Sequence, residues 1–430
     1  MAIDPKAADA VLDRIREDDL VELVLHLSSI ESPPPDEGEA AEAIYEWLKE
    51  NDFAPARIGM FEDRFNVFAQ LPGSGRGRAL AFNSHIDTAV RRDDHLVYRD
   101  PSWADYHVGR EEGDLLIGNP VVNDKGPMAA FMIAARAIRD AGVELDGGVY
   151  LTMVAGEIGQ EPVDEFQGKR YLSKEVGARY LVNHSPRPSF CLCAEATGFR
   201  KGWVEAGKAF YKVTVYGGPA TYTPYLSRPY TRADQPNAII RALPLLERLE
   251  TWASDYEERH RYECPGGTVV PRVNIGAVRA GQPWMVLTSP EVCMIYLDIR
   301  TIPGQDGGSV GYELRELLEA LELEGTVEQF VNRNGYEAHG IEPLSEALEE
   351  AHRREFEAPC EIAAPPECSM WRDHNIFNEM GIPALTYGPP GVAFAGGGAF
   401  AVRKEDLLRS ARIYALTALS LCARAPQTGT

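Results

Sequence analysis

The sequence lacks the features that membrane proteins, secreted scaffolds and nucleic-acid binders need. Across 430 residues, no uncharged apolar run approaches the ~18 residues of a membrane-spanning helix. Met1–Lys6 leads into a charged helix without an apolar signal core, so a cytoplasmic protein with no membrane partner is expected. Cysteine is sparse: 7 residues, an odd number with no repeating framework, which argues for reduced thiols. Cys191-x-Cys193 is spaced too closely for a zinc knuckle. Basic residues are short as well, 43 against 65 acidic ones, for a net charge of −22. Such a surface repels phosphate backbones, so no nucleic-acid partner is expected. There are no internal repeats or low-complexity tracts. What is present is an ordinary globular balance, 44% hydrophobic and 25% charged. It excludes a disordered chain, a collagen and a disulfide-stapled miniprotein. The length suits two or three domains of ~150 residues.

Apolar spacing predicts a first helix over 5–27 and a second over 37–51, separated by the three prolines of Ser32–Asp36. Strands follow at 66–71 and 79–83, and the small-residue stretch 127–141 reads as a helix. The apolar runs Gly148–Ala155 and Phe190–Ala194 suit buried strands. This alternation implies an α/β domain with a mostly parallel sheet. From about Val204 the pattern becomes strand–helix–strand–strand–helix–strand, the order of a ferredoxin-like βαββαβ unit. We therefore expect a catalytic domain in two parts, 1–203 and 336–430, with an inserted lid domain over 204–335.

Acidic or histidine residues stand just beyond several of these strands: His85 with Asp87, Asp124, Glu157 and Glu195. Open α/β sheets bind ligands outside the carboxyl ends of their strands, where residues distant in sequence can meet. One imidazole with several carboxylates suits a divalent ion such as zinc, manganese or cobalt. Asp87, two residues after His85, is placed to accept the ring N–H and fix its tautomer. A single such residue is more often a cap or a solvated turn residue; four at separate strand ends are harder to explain that way.

On these residues the chain resembles the M20 metallopeptidase and aminoacylase superfamily over nearly its whole length. The marks are Ser84-His85-Ile86-Asp87, Asn123-Asp124-Lys125-Gly126, Gly156-Glu157-Ile158-Gly159 and Ala194-Glu195-Ala196. Pro236-Asn237-Ala238, Asn274-Ile275-Gly276 and Leu297-Asp298-Ile299-Arg300 follow in the lid, then Asp373, Gly381-Ile382-Pro383 and Gly388-Pro389-Pro390-Gly391. The resemblance implies that His85, Asp124 and Glu195 bind one metal ion and that Asp124 bridges to a second. It also implies a Glu-Glu pair, base and then ligand of the second ion, a late histidine completing that site, and a lid histidine that steadies the oxyanion in a partner subunit.

The sequence departs from this pattern in three places. The Glu-Glu pair is reduced to Glu157. Counted back from Gly159 it is the ligand; counted from the first member it is the base. Phe400 stands where the late histidine is expected, and Thr221 where the lid histidine is expected. A second ion would lack ligands, so we expect one divalent transition metal ion per subunit (Mn2+ or Zn2+, with Co2+ as a third choice) on His85, Asp124 and Glu195. Glu157 then serves as base and Asp87 orients His85.

The expected reaction is hydrolysis of a C–N bond in a small anionic substrate. The missing lid histidine favours substrates that store charge on themselves, as an electron-poor aminobenzoate does during deamination. An outlying aminohydrolase with this architecture acts on 5-nitroanthranilate, and the chain is similar to it. The alternatives are an amidase, deacylase or dipeptidase acting on N-acyl amino acids, and a non-catalytic scaffold. His374, in Trp371-Arg372-Asp373-His374-Asn375, is a further catalytic candidate. Arg228, Arg300 and Arg372, with Arg232 beside them, are candidates to hold a substrate carboxylate, the alternative being structural ion pairs. A homo-oligomer through the lid domain is expected.

Overall fold

The computed structural model describes residues 4–92, 101–231, 234–393 and 399–422. The chain forms two compact units: Met1–Trp203 with Ala338–Ala363 and Arg372–Thr430, and Val204–Glu337 with Ala364–Trp371. The first is a mixed α/β unit on a six-stranded sheet, in the order Ala56–Phe61, Arg64–Leu71, Val149–Val154, Leu80–His85, Phe190–Ala194, Ala384–Tyr387. The last four run parallel, and the first two close one edge as an antiparallel pair. Every residue of Leu80–His85 is buried, because a central parallel strand is covered on both faces; hence the unbroken apolar runs seen in the sequence.

The helices Gly126–Asp140 and Lys404–Cys422 pack against each other. Ala129, Ala130, Ala134, Ala135 and Ala137 of the first are all buried, as are Ala411, Ala415 and Ala418 of the second. Small side chains let the two backbones approach closely. Because the four parallel strands share one direction, their carboxyl ends lie along one edge of the sheet. His85 is the last residue of its strand, Glu195 directly follows Phe190–Ala194, and Glu157 follows Val149–Val154 by a short turn. At the end of Ala384–Tyr387, a Cβ on Gly388 would lie 2.2 Å from the carbonyl oxygen of Glu195. Only glycine permits that approach.

Three local features differ from the sequence reading. The first helix is broken into Pro5–Leu12 and Glu17–Ser28. Glu17, Asp18 and Asp19 crowd the first turn of the second piece, where negative charge favours a fresh N-terminus. The edge strand Ala56–Phe61 was missed; it is a short strand with no buried residue, and its exposure does not alternate. Residues 364–371, expected in the catalytic domain, group with the second unit. They are held there by Ala206 N–H on the Cys368 carbonyl (3.0 Å) and Val270 N–H on Ser369 Oγ (2.9 Å).

The second unit runs strand Gly207–Tyr216, helix Ala238–Arg259, strands Val273–Ala280 and Val292–Thr301, helix Gly307–Ala320, strand Gly325–Arg333. Its four-stranded sheet is antiparallel throughout. Along Val292–Thr301 burial alternates, with Cys293, Ile295, Leu297 and Ile299 facing inward. They share one apolar cluster with Leu245, Leu249, Leu314 and Leu318 of the two helices. Among the described residues, no helix is long and apolar enough to cross a membrane.

Leu151 lies fully buried in the middle of the first unit's sheet. Leu151→Ala is expected to cost about 2–5 kcal/mol through lost burial and the cavity left behind, read from the shift in a chemical denaturation midpoint.

Candidate functional site

Two strand ends and the turn before the helix Gly126–Asp140 bring His85, Asp124 and Glu195 together. One potential ligand atom from each lies within 4.8 Å of the others, and all three residues are buried. His85 Nδ1 is 2.8 Å from the backbone carbonyl of Asp87, which leaves Nε2 to face the group; Asn123 Oδ1 lies 2.8 Å from it. Asp124 sits in the irregular turn before the helix Gly126–Asp140, after a cis peptide from Asn123. Ser84 Oγ donates to its Oδ2 at 2.6 Å. Its other carboxylate oxygen, Oδ1, is buried without a hydrogen-bond partner among the described residues. Glu195 Oε2 lies 3.4 Å from Arg372 Nε.

A buried carboxylate oxygen without a donor is costly unless a cation meets it. The electrostatics agree. Burial pulls the proton affinity of His85 down, but Asp124, Asp87, Glu157 and Glu195 outweigh it and raise the imidazole to about 10. Burial, with Glu195 next, holds the Asp124 carboxyl well above its ordinary range. The protein has built a pocket of negative charge around one imidazole. A dication is the natural occupant, and one nitrogen with carboxylate oxygens is a zinc or manganese donor set. The residues present therefore fit a divalent metal ion.

Asp87 does not orient His85 as the sequence reading had it. Its Oδ1 is 3.6 Å from the ring nitrogen, and its backbone carbonyl takes that role. The carboxylate is engaged by two backbone N–H groups, Glu157 at 2.9 Å and Ile158 at 2.6 Å. Asp87 thus ties the end of one strand to the turn that carries Glu157. That turn needs Gly156, whose φ is +81°. Glu157 is buried and accepts a hydrogen bond from the ammonium of Lys174, also buried.

His374 opens the helix His374–Glu379 and is fully buried. Burial, reinforced by Arg372, pushes its imidazole down to about 3, so it stays neutral. Arg372 is buried against Glu195. Arg300 and Arg228 belong to the second unit. Arg300 forks onto Asp298 with two contacts of 2.9 Å, an ion pair rather than a waiting carboxylate clamp. Arg228 is exposed. Arg232 lies outside the described residues. Phe400 packs with Val90, Tyr106, Ile117 and Ala401, stacked on Tyr106 at 4.5 Å between centroids. Thr221 Oγ1 donates to the Pro219 carbonyl at 3.0 Å.

Sequence reading gave no role to Asn83 or Lys174, and took Ser84 and Asp373 only as family marks. Asn83 Nδ2 donates to Asp373 Oδ2 at 3.1 Å. Burial first, then the charge of Glu157, pushes Asp373 up to about 7, against the opposing pull of Lys174 and His85. A carboxyl whose native pKa exceeds its unfolded value stabilises the fold while protonated and loses that contribution as pH rises. Metal-free protein should therefore lose stability between the ordinary 3.8 and about 7. Asp373→Asn, which keeps an acceptor for Asn83, should flatten that slope in denaturation midpoints measured across this range.

Residues 81–420 match the sequence model of "Peptidase family M20/M25/M40". A curated relative, the N-formyl-4-amino-5-aminomethyl-2-methylpyrimidine deformylase of Bacillus subtilis, is 31% identical over 146 residues. That match covers 33% of this chain and 33% of the relative, so the chain spans about a third of the length of the curated relative it matches. Among solved structures, human carnosine dipeptidase 1 is similar at 14% identity, covering 96% of this chain and 99% of that one, with a TM-score of 0.67. The YXEP protein of Bacillus subtilis, described as a dinuclear metal-binding peptidase from the M20 family, is similar at 16% identity, 94% and 98% coverage, and a TM-score of 0.62. These structures share the fold, and the family match extends across both the strand-end residues and the second unit. The chain belongs to peptidase family M20/M25/M40.

Proposed function

We propose that the protein hydrolyses a C–N bond of a small anionic substrate, with one divalent ion held by His85, Asp124 and Glu195. The observation that carries this reading is the convergence of those three buried side chains around an unsatisfied Asp124 oxygen. Such an ion supplies Lewis acidity and brings the pKa of its water toward ~7. Glu157, held on the turn beside His85, takes a proton from the attacking water and returns it to the leaving nitrogen. Asp87 keeps that turn in register with the end of the His85 strand. Arg372 steadies Glu195, and neutral His374 beside it presents no charge of its own.

One observation favours a substrate that holds its own developing charge. The Thr221 hydroxyl, at the position of the lid histidine, is committed to a local carbonyl. It does not supply the oxyanion donor whose loss typically costs about 2.7–4 kcal/mol in acyl transfer. An electron-poor aminobenzoate accepts the electron pair into its ring and releases ammonia, which fits that loss. A second reading, amide or formamide cleavage, is favoured by the deformylase relative.

One assay set separates them: ammonia release from nitroanthranilate against amine release from N-formyl and N-acyl substrates, with manganese or zinc added and after chelation. Metal-dependent activity on the first supports the aromatic reading, and on the second the amide reading; neither above the chelated control would sink both. His85→Ala should abolish stoichiometric metal binding. Glu157→Gln should retain the metal and lower kcat by about 10²–10⁴-fold. For assembly we propose a homo-oligomer through the second unit, where Tyr225, Trp284 and Val286 are 78%, 79% and 81% exposed. Trp284→Asp should then shift the sedimentation coefficient toward the monomer.

A further inference from the structure

Lys174 has no assigned place in this chemistry, yet it lies at its centre. It comes from the short turn Ser173–Val176, where its side chain is only 8% exposed. Its ammonium bonds to Glu157 Oε1, and Glu157 is 10% exposed at the side chain. Taking a lysine out of water is costly without a strong reason. The reason is visible in its surroundings. Glu157 acts electrostatically on His85, Asp124 and Asp373, and Lys174 offsets the negative charge at Asp373. Asp87 is tied to the same turn through the N–H groups of Glu157 and Ile158. The carboxylates of Asp87, Asp124, Glu157, Glu195 and Asp373 therefore gather about the site; Arg372 meets Glu195 and Lys174 meets Glu157. A protein of the same fold is described as a dinuclear metal-binding peptidase.

We propose that Lys174 is a positioning residue of this site, a fixed positive charge whose buried ammonium holds Glu157 and stands in for a second metal ion. The inference rests on the mononuclear hydrolase reading. A tethered ammonium carries one charge and no open coordination position, so it holds Glu157 but cannot ligate substrate or water. It fixes the carboxylate and keeps it ionised, leaving the single ion as the only Lewis acid. This also gives the isolated glutamate of Gly156-Glu157-Ile158 a partner that does not depend on the metal.

The test uses full-length protein with Lys174→Met, which keeps the stem and removes the charge, and Lys174→Arg, which restores it. Manganese is titrated calorimetrically and bound metal is counted after dialysis; the pH dependence of kcat/KM is recorded in parallel. Wild type should saturate at one ion per chain. In Lys174→Met, the uncompensated carboxylates should admit a second ion at excess manganese. The acid limb of the rate profile should also rise by about 1–3 pH units, because Glu157 keeps its proton longer without the neighbouring cation. Lys174→Arg should reverse whichever change occurs. Either change, reversed by arginine, supports the proposal. A Lys174→Met protein with one ion and an unmoved acid limb overturns it and leaves the mononuclear reading standing, as does a wild type that binds two ions. A wild type that binds none overturns both.

Discussion

The unpaired oxygen of Asp124, buried against His85 and Glu195, is the constraint on which the site depends. Folding buries several carboxylates at one edge of a parallel sheet, and Coulomb repulsion at low dielectric makes that arrangement expensive. It is tolerable only if positive charge enters the same volume. The imidazole of His85 supplies part of it, as its raised proton affinity shows. Arg372 beside Glu195 and Lys174 beside Glu157 supply more, and on the proposed reading a bound ion would supply the rest. The chemistry and the stability of this region are two aspects of one charge imbalance.

The same region shows how a sheet converts strand order into geometry. Asp87 bonds to the turn after the neighbouring strand, and Asn83 reaches Asp373, 290 residues away in sequence. Ser84 holds Asp124. Asn83, Ser84 and Asp87 thus each fasten a different loop, and His85 reaches the same turn as Ser84, so the end of one strand organises the site. A change at any of them would be felt by ligands it does not touch.

Much of this was legible from sequence, for a physical reason. Buried parallel strands are continuous apolar runs, so their ends are sharply marked, and the polar residues just beyond them stand out. His85 and Glu195 were found that way; Asp124 lies instead in the irregular turn before the helix Gly126–Asp140, and the strand end expected before it is absent among the described residues. Lys174 was not, because it lies in an irregular segment where a lysine carries no periodic signal and its burial is decided by distant residues. The role of Asp87 was half right: proximity in sequence suggested a partner for His85, whereas hydrogen-bond geometry gave that work to its carbonyl and the carboxylate to another loop. Arg300 looked available because sequence spacing does not show that Asp298, two residues away on the same face of a strand, already satisfies it.

The three candidate ligands come from segments that meet only when the strands around Leu80–His85 are aligned. No shorter stretch of chain can offer the same grip. A captured ion would therefore act as a clasp on the finished sheet and have little affinity for partly assembled forms. By mass action it would add its binding free energy to that of the fold. Metal supply would then set the lifetime of the native protein as well as its turnover.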